Sequence, residues 1–208
     1  VSGKIFLTGN TVIDSLKLIT QKNIKTLEEI PWKKKKVILV TIHRRENWGE
    51  NLLNFIKAIK NILKNNEDTF VLLPMHLNSI VRDPIKKELS NIKRIKLTEP
   101  LRYDEFAFVL KNCYLIITDS GGVQEEAPTF KKPVLIIRYN TEREEAIENN
   151  TAKLVGVKYD SIVKETNKLI RDSNSYKAMT KAKNPFGDGN ASKRIVKECQ
   201  KFLDNLQN

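Results

Sequence analysis

Short apolar runs rich in β-branched residues recur along this 208-residue chain, and amphipathic stretches separate them. Val37–Ile42 reads VILVTI, and Leu52, Phe55, Ile56, Ile59 and Leu63 follow at helical spacing. The pattern repeats with an apolar run at Phe70–Leu73 and a helical stretch near Val81–Leu89, then with Ile95–Leu97 and Tyr103–Lys111. Leu115–Thr118 leads through Asp119-Ser120-Gly121-Gly122 into another helix, Val134–Ile137 supplies a fifth run, and Leu154–Val157 is the candidate sixth. Runs of this length and composition suit strands buried on both faces. Their alternation with helices predicts an α/β fold, a Rossmann-like parallel sheet with helices on both faces. Right-handed crossovers then bring every strand's C-terminal end to one edge, where open α/β sheets bind ligands.

The length permits one good-sized core, and neither an internal repeat nor a low-complexity linker divides it. From Ser161 onward the pattern is wholly helical, broken at Asn184-Pro185-Phe186-Gly187-Asp188-Gly189. The start is unusual for such a domain: Ile5–Leu7 is apolar, Thr8-Gly9-Asn10-Thr11 is a turn, and Val12–Ile19 reads as a helix. Residues 1–20 therefore read as a connection arriving from something upstream, 21–183 as the sheet domain, and 184–208 as a closing helix. No stretch approaches the roughly 20 apolar residues of a membrane span, and no secretory signal pattern opens the chain, so a cytoplasmic setting and no membrane partner are expected. Cys113 and Cys199 have neither metal-like nor disulfide spacing and read as reduced thiols, buried or half-buried.

The net charge of +12 draws anions, and nucleic acid is the first class to weigh. The lysines are scattered over helix faces, except at Lys33–Lys36, which reads as a solvated strand entrance. Aromatics do not interleave with them as a base-stacking platform requires, so no nucleic-acid partner is expected. A lysine-rich surface accounts for most of the charge, with a smaller share for an anionic small ligand.

Three segments fall on the predicted ligand edge. Thr118–Glu126 (TDSGGVQEE) ends a buried strand, sets Ser120 at a helix N-cap position and follows it with two glycines. Glycines admit a ligand close to the backbone, and a helix N-terminus favours a phosphate. An acidic residue one or two turns in could accept hydrogen bonds from ribose hydroxyls; the plainer reading is a Ser-Gly-Gly turn with solvated glutamates. Thr41–Asn47 (TIHRREN) follows the first strong strand, and Pro74-Met75-His76 repeats the arrangement after the second, so both histidines of the chain lie just after strands. His43 suits proton transfer or donation to phosphate. The plainer reading is a loop histidine with salt-bridged arginines. Neither histidine has ligand spacing for a metal. Arg138–Glu145 follows the fifth strand, and its arginines could clamp a diphosphate, although a charged helix start explains the same residues.

Taken together, these segments resemble the non-hydrolysing UDP-N-acetylglucosamine 2-epimerase family. The stretches that carry the resemblance are TGNTVIDSL (8–16), TIHRRENWG (41–49), PMHLN (74–78), LTEPLRYDEF (97–106), TDSGGVQEEAP (118–128), KKPVLIIRYNTERE (131–144) and NPFGDGNASKRI (184–195). They run in the family's order and cover nearly the whole chain. The resemblance implies the second, UDP-binding domain of a glycosyltransferase-B-like fold. It implies that Ser120, Gly121 and Gly122 meet the UDP diphosphate, that Glu126 binds the ribose hydroxyls, and that the loop from Leu101 to Phe106 borders the uracil. His76 and Arg143 join the UDP-binding set on the same ground. His43 falls where the family has a histidine important for activity, and His43 with Glu46 matches positions that touch an activating second UDP-N-acetylglucosamine in regulated members. Glu144 stands where the family usually has proline, which bears on loop rigidity alone.

What the resemblance implies for chemistry is interconversion of UDP-N-acetylglucosamine and UDP-N-acetylmannosamine, with no cofactor, in cell-envelope polysaccharide synthesis. UDP leaves C1 as a proton leaves C2, 2-acetamidoglucal forms, and UDP re-adds after protonation from the other face. The family's catalytic carboxylates belong to an N-terminal domain, and no segment here matches them. The expected partners are UDP or UDP-N-acetylglucosamine, that N-terminal half as domain or separate chain, and a second copy in a homodimer. A glycosyltransferase of the same architecture and a non-catalytic UDP-sugar-binding module are the alternative functions.

Overall fold

The computed structural model describes residues 3–21 and 27–207. Six strands form one all-parallel sheet: β1 (Lys36–Thr41), β2 (Thr69–Pro74), β3 (Ile95–Thr98), β4 (Leu115–Thr118), β5 (Val134–Ile136) and β6 (Ala152–Leu154). Their order is β3-β2-β1-β4-β5-β6, so the chain winds outward from β1 in one direction, returns, and winds outward in the other. The nine described helices are α1 (Thr11–Ile19), α2 (Glu50–Asn65), α3 (Ser79–Leu89), α4 (Tyr103–Asn112), α5 (Gly121–Glu126), α6 (Glu144–Glu148), α7 (Tyr159–Arg171), α8 (Ser173–Lys181) and α9 (Ala191–Gln207). None of them is long and apolar enough to cross a membrane.

Successive side chains of a strand point to opposite faces, and β1 shows what that does. Ile38, Val40 and Ile42 enter a core with Phe55 and Ile59 of α2, Ile85 of α3 and Leu169 of α7. Val37 and Leu39 enter the opposite core with Val109 and Leu110 of α4, Val123 of α5 and Ala146 of α6. An unbroken apolar strand is therefore required, as its sequence has.

The two terminal segments are built around each other. Asn10 caps α1 by accepting from Val12 N at 3.0 Å, and its own amide donates to Phe186 O at 2.8 Å. Asp14 of α1 accepts from Ala191 N and Ser192 N, at 3.1 and 2.9 Å, and so caps α9. A Cβ on Gly187 would stand 3.4 Å from Asn10 N, and Gly187 has φ +140°. Glycine is what lets the NPFGDG turn close on TGN. Ile13 and Leu16 of α1 are fully buried.

Two expectations change. The sixth strand begins at Ala152, paired with Val134, and ends at Leu154, before the expected run. Val155 adds one last bond to Ile136 O, and Gly156 at φ +72° then turns the chain. Burial of Val155 and Val157 beyond the strand end is what makes the apolar run look later than the pairing. Cys113 is buried, and burial pushes its thiol up to about 12, but Cys199 is exposed, as are most of the described side chains of α9.

Candidate functional site

The winding direction reverses between β1 and β4, and their C-terminal ends open the crevice where doubly wound sheets hold ligands. Thr41 and Thr118 end these strands in register, with hydroxyls 2.6 Å apart. The Thr118 hydroxyl also accepts from Ser120 N at 2.9 Å, which fixes the turn into α5.

Asp119 occupies the middle of that turn and is completely buried. Its Oδ2 accepts from the amides of His43 and Arg44 and from Asn47 Nδ2, each at 2.9 Å. Its Oδ1 accepts from His43 N at 3.1 Å and lies 3.6 Å from His43 Nδ1. Burial by itself would push the carboxyl up, but the hydrogen bonds from His43, Arg44 and Asn47 overcome it and hold Asp119 below the usual carboxylate range. Asn47 Nδ2 also reaches Ile137 O, which ties the loop after β1 to the end of β5.

A second set of charges closes the same side. Buried Arg138 donates through Nε to Glu46 at 2.8 Å and grips Glu142 with both terminal nitrogens at 2.7 and 2.9 Å. This fork holds Glu142 down to about 2. Arg143 is bonded through Nε to Glu125 of α5 at 2.8 Å and lies over Gly121, where a Cβ would come within 3.2 Å of its Cζ. Glu144 follows as the first residue of α6, where an acidic side chain suits the helix dipole.

Ser120 stands at the N-cap of α5 in extended conformation, but its side chain does not cap the helix. The first-turn amides are thus left without a side-chain acceptor. Gly122 has open space at its Cβ position, with Ser120 Oγ the nearest atom at 4.0 Å. One turn on, Glu126 is nearly buried and accepts from Tyr103 Oη at 3.1 Å. Burial raises its carboxyl above the usual range; the Tyr103 hydrogen bond opposes this and the neighbouring Glu125 charge adds to it. Tyr103 is itself pushed up to about 12, by burial and by Glu126.

These groups border a groove. One cavity of about 360 Å³ is lined by Ser120, Gly122, Val123, Glu126 and Tyr103. An adjoining one of about 280 Å³ is lined by Pro74, Met75, His76, Leu77 and Pro100. Thr41, His43, Leu101 and Phe106 line both, so the two are parts of one trough along the ends of β1, β2 and β4. Of the residues expected at the site, His43, His76, Phe106, Ser120, Gly122 and Glu126 face this trough. Gly121, Arg143 and Glu46 do not line it: Arg143 lies over Gly121 and is bonded to Glu125, and Glu46 is taken up by Arg138. Sequence reasoning offered Arg138 as part of a diphosphate clamp, whereas the structure buries it away from the trough and binds it to Glu46 and Glu142. It did not single out Asp119, Asn47 or Tyr103 individually. A carboxylate at the very end of a β-branched strand was the available signal, since no acid is buried there without partners. Among the described residues no cluster of histidine, cysteine, aspartate and glutamate suits a metal ion.

The fold and the trough define a doubly wound, Rossmann-type ligand-binding module. It has an uncapped helix start, an underserved carboxylate and two histidines at one edge. The chain belongs to the UDP-N-acetylglucosamine 2-epimerase family, whose sequence model matches residues 1–200. A UDP-N-acetylglucosamine 2-epimerase of Campylobacter jejuni is 48% identical over 97% of this chain, which corresponds to 56% of the relative. A Staphylococcus aureus protein solved with UDP superposes with a TM-score of 0.90 at 42% identity, over 95% of this chain and 54% of that one. A UDP-GlcNAc 2-epimerase from Neisseria meningitidis, solved bound to UDP-GlcNAc, gives 0.86 at 40% identity, over 95% and 56%. The chain spans about half the length of the curated relatives it matches, their C-terminal half.

Proposed function

We propose that this chain is the UDP-binding half of an enzyme that interconverts UDP-N-acetylglucosamine and UDP-N-acetylmannosamine. The observation that carries the reading is the trough joining the uncapped start of α5 to Glu126. A diphosphate at Ser120 and Gly122 takes up the first-turn amides, and the ribose hydroxyls donate to the Glu126 carboxylate. Phe106 and Leu101 give the apolar wall for the base, and His76 donates to the ligand from the β2 side. Arg143 reaches the diphosphate by exchanging Glu125 for it, a small rotation for a side chain already over Gly121. Preorganised amides that stabilise the departing diphosphate are what UDP elimination requires of this half.

The proton chemistry at C2 needs groups on both sides of the sugar, and the relatives' other half supplies the remainder. Residues 1–20 connect to that half, and α9 with the 5–7 segment packs toward it. Phe202, Leu203 and Val196 of α9 and Leu7 are well exposed, as such a contact requires. Glu46 with His43 forms the place for an activating second nucleotide-sugar, and the complete protein works as a homodimer in the cytoplasm.

Calorimetric titration of UDP tests the nucleotide site directly. Binding is expected in the range of a half-site, weakened about 10- to 100-fold by Glu126→Ala, the worth of hydrogen bonds to a charged group. Absence of any UDP response would refute the reading. Turnover by the isolated chain should be negligible, because half a cleft does not hold the sugar between two faces; conversion of UDP-N-acetylglucosamine by the chain alone would overturn that part.

A further inference from the structure

The two histidines of the chain meet with ring centroids 5.6 Å apart and planes at 67°, and both line the second cavity. Their ring nitrogens are committed differently. His76 Nδ1 accepts from Asn78 N at 3.1 Å, so its neutral ring carries the proton on Nε2. His43 Nδ1 lies 3.6 Å from Asp119 Oδ1. That distance is an electrostatic contact rather than a direct hydrogen bond, and it has a sign. An ionised carboxylate repels a lone pair and attracts a proton, and Asp119 stays ionised because its donors hold it below the usual range. The remaining charged and titratable neighbours do not reverse this. Arg44, next in the chain, donates its Nε to Asp119 O; Glu126 and Tyr103 stand across the first cavity and are bonded to each other.

We propose that Asp119 is the positioning residue for His43: it clamps the His43 backbone and holds the ring as the Nδ1–H tautomer, so that His43 presents an Nε2 lone pair and His76 an Nε2–H to one cavity. Such an acceptor–donor pair fits a ligand group that both gives and takes a hydrogen bond, a sugar hydroxyl or a water that carries a proton. The catalytic consequence rests on the nucleotide-sugar reading above; the tautomers do not.

The test is ¹⁵N NMR of the histidine rings in the full chain, at a pH where both are neutral. Wild type is expected to show His43 protonated at Nδ1 and His76 at Nε2. Asp119→Asn separates positioning from folding. An amide oxygen in the Oδ2 place keeps the 2.9 Å bonds from His43, Arg44 and Asn47, while an NH₂ group in the Oδ1 place gives up the 3.1 Å bond from His43 N and faces Nδ1. The variant is expected to turn His43 to the Nε2–H tautomer and leave His76 unchanged. In the complete protein it should lower kcat by about 10²-fold or more with little change in KM, the worth of a correctly presented base. His43 protonated at Nε2 in wild type overturns the proposal whether or not the variant folds. So does an Asp119→Asn protein with a native amide spectrum and an unchanged His43. UDP titrated into the same samples reports separately: the expected tautomers without a UDP response support the pairing and count against the nucleotide reading.

Discussion

Asp119 and Glu126 lie seven residues apart on one strand-to-helix turn, both are carboxylates, and both are removed from water, yet their environments push them in opposite directions. Asp119 accepts from two main-chain amides and an asparagine side chain, and its hydrogen bonds outweigh the penalty of burial. Glu126 receives a single tyrosine hydroxyl, and burial wins. A satisfied buried acid is architecture, since it fixes the loop that carries His43. An underserved one beside an open groove keeps acceptor capacity for something else. The difference teaches which of two neighbouring acids holds the fold and which faces the ligand.

Breaking the comparison starts with Asp119→Ala, which strands buried donors. A loss of about 3–5 kcal/mol is expected, as for removal of one member of a buried charged network, and denaturant melts measure it. A loss under about 1 kcal/mol would mean that the turn is not held by this carboxylate. Glu126→Ala, by contrast, should cost affinity and not stability. Glu126→Gln should leave the protein equally or more stable at pH 7, because it removes a charge whose burial the single Tyr103 hydrogen bond only partly offsets, while still weakening UDP. A large drop in melting temperature for Glu126→Gln would erase the distinction between the two acids.

Acid sharpens the same contrast. A folded pKa below the unfolded value near about 3.9 means that the Asp119 contribution is fully present above that value and disappears as pH falls through the folded pKa. Glu126 behaves in reverse, since its folded pKa is raised. Its contribution is greatest below the unfolded value of about 4.3 and is lost as pH rises through the folded pKa. UDP binding that needs the Glu126 carboxylate should therefore weaken as pH falls, by up to about tenfold per pH unit below that pKa. The comparison is wild type against Glu126→Gln, because the titration of the diphosphate itself is common to both; parallel pH profiles would dismiss the role of Glu126. The smallest effect belongs to Gly122→Ala. Helix propensity favours alanine by up to about 1 kcal/mol, and the Cβ meets open space. Stability should hold or rise slightly while the methyl group narrows the trough and weakens UDP; an unchanged UDP affinity would place the ligand elsewhere.

Most of the sheet was legible because local patterns answer to local physics. β4 was read at its observed bounds, Leu115–Thr118, and β1 and β2 within a residue at each end. β6 was displaced, since pairing with β5 and the turn at Gly156 decide where it ends, and neither leaves a mark in apolar periodicity. At the site, both histidines and the Ser-Gly-Gly turn could be placed on the ligand edge from strand ends alone. Glu126 could be picked out as the acid for the ligand, but the locked state of Asp119 could not be read, since it depends on donors that reach it from Thr41–Asn47 across the sheet edge. Likewise NPFGDG read as a mere break, and its closure on Gly9 and Asn10 brings together segments more than 170 residues apart.

The α/β architecture and the edge on which the ligand groups gather were set by the chain read in order, because side-chain periodicity and strand-end position are local properties, while the family was carried by the resemblance of seven motif stretches. Packing between distant segments decided which carboxylate is locked and which is available, and that Arg143 rests on Gly121. Those outcomes depend on donors and acceptors brought within about 3 Å of each other by crossovers that join distant segments. Over such distances the free energy of a buried charge is set by its partners and not by its place in the sequence.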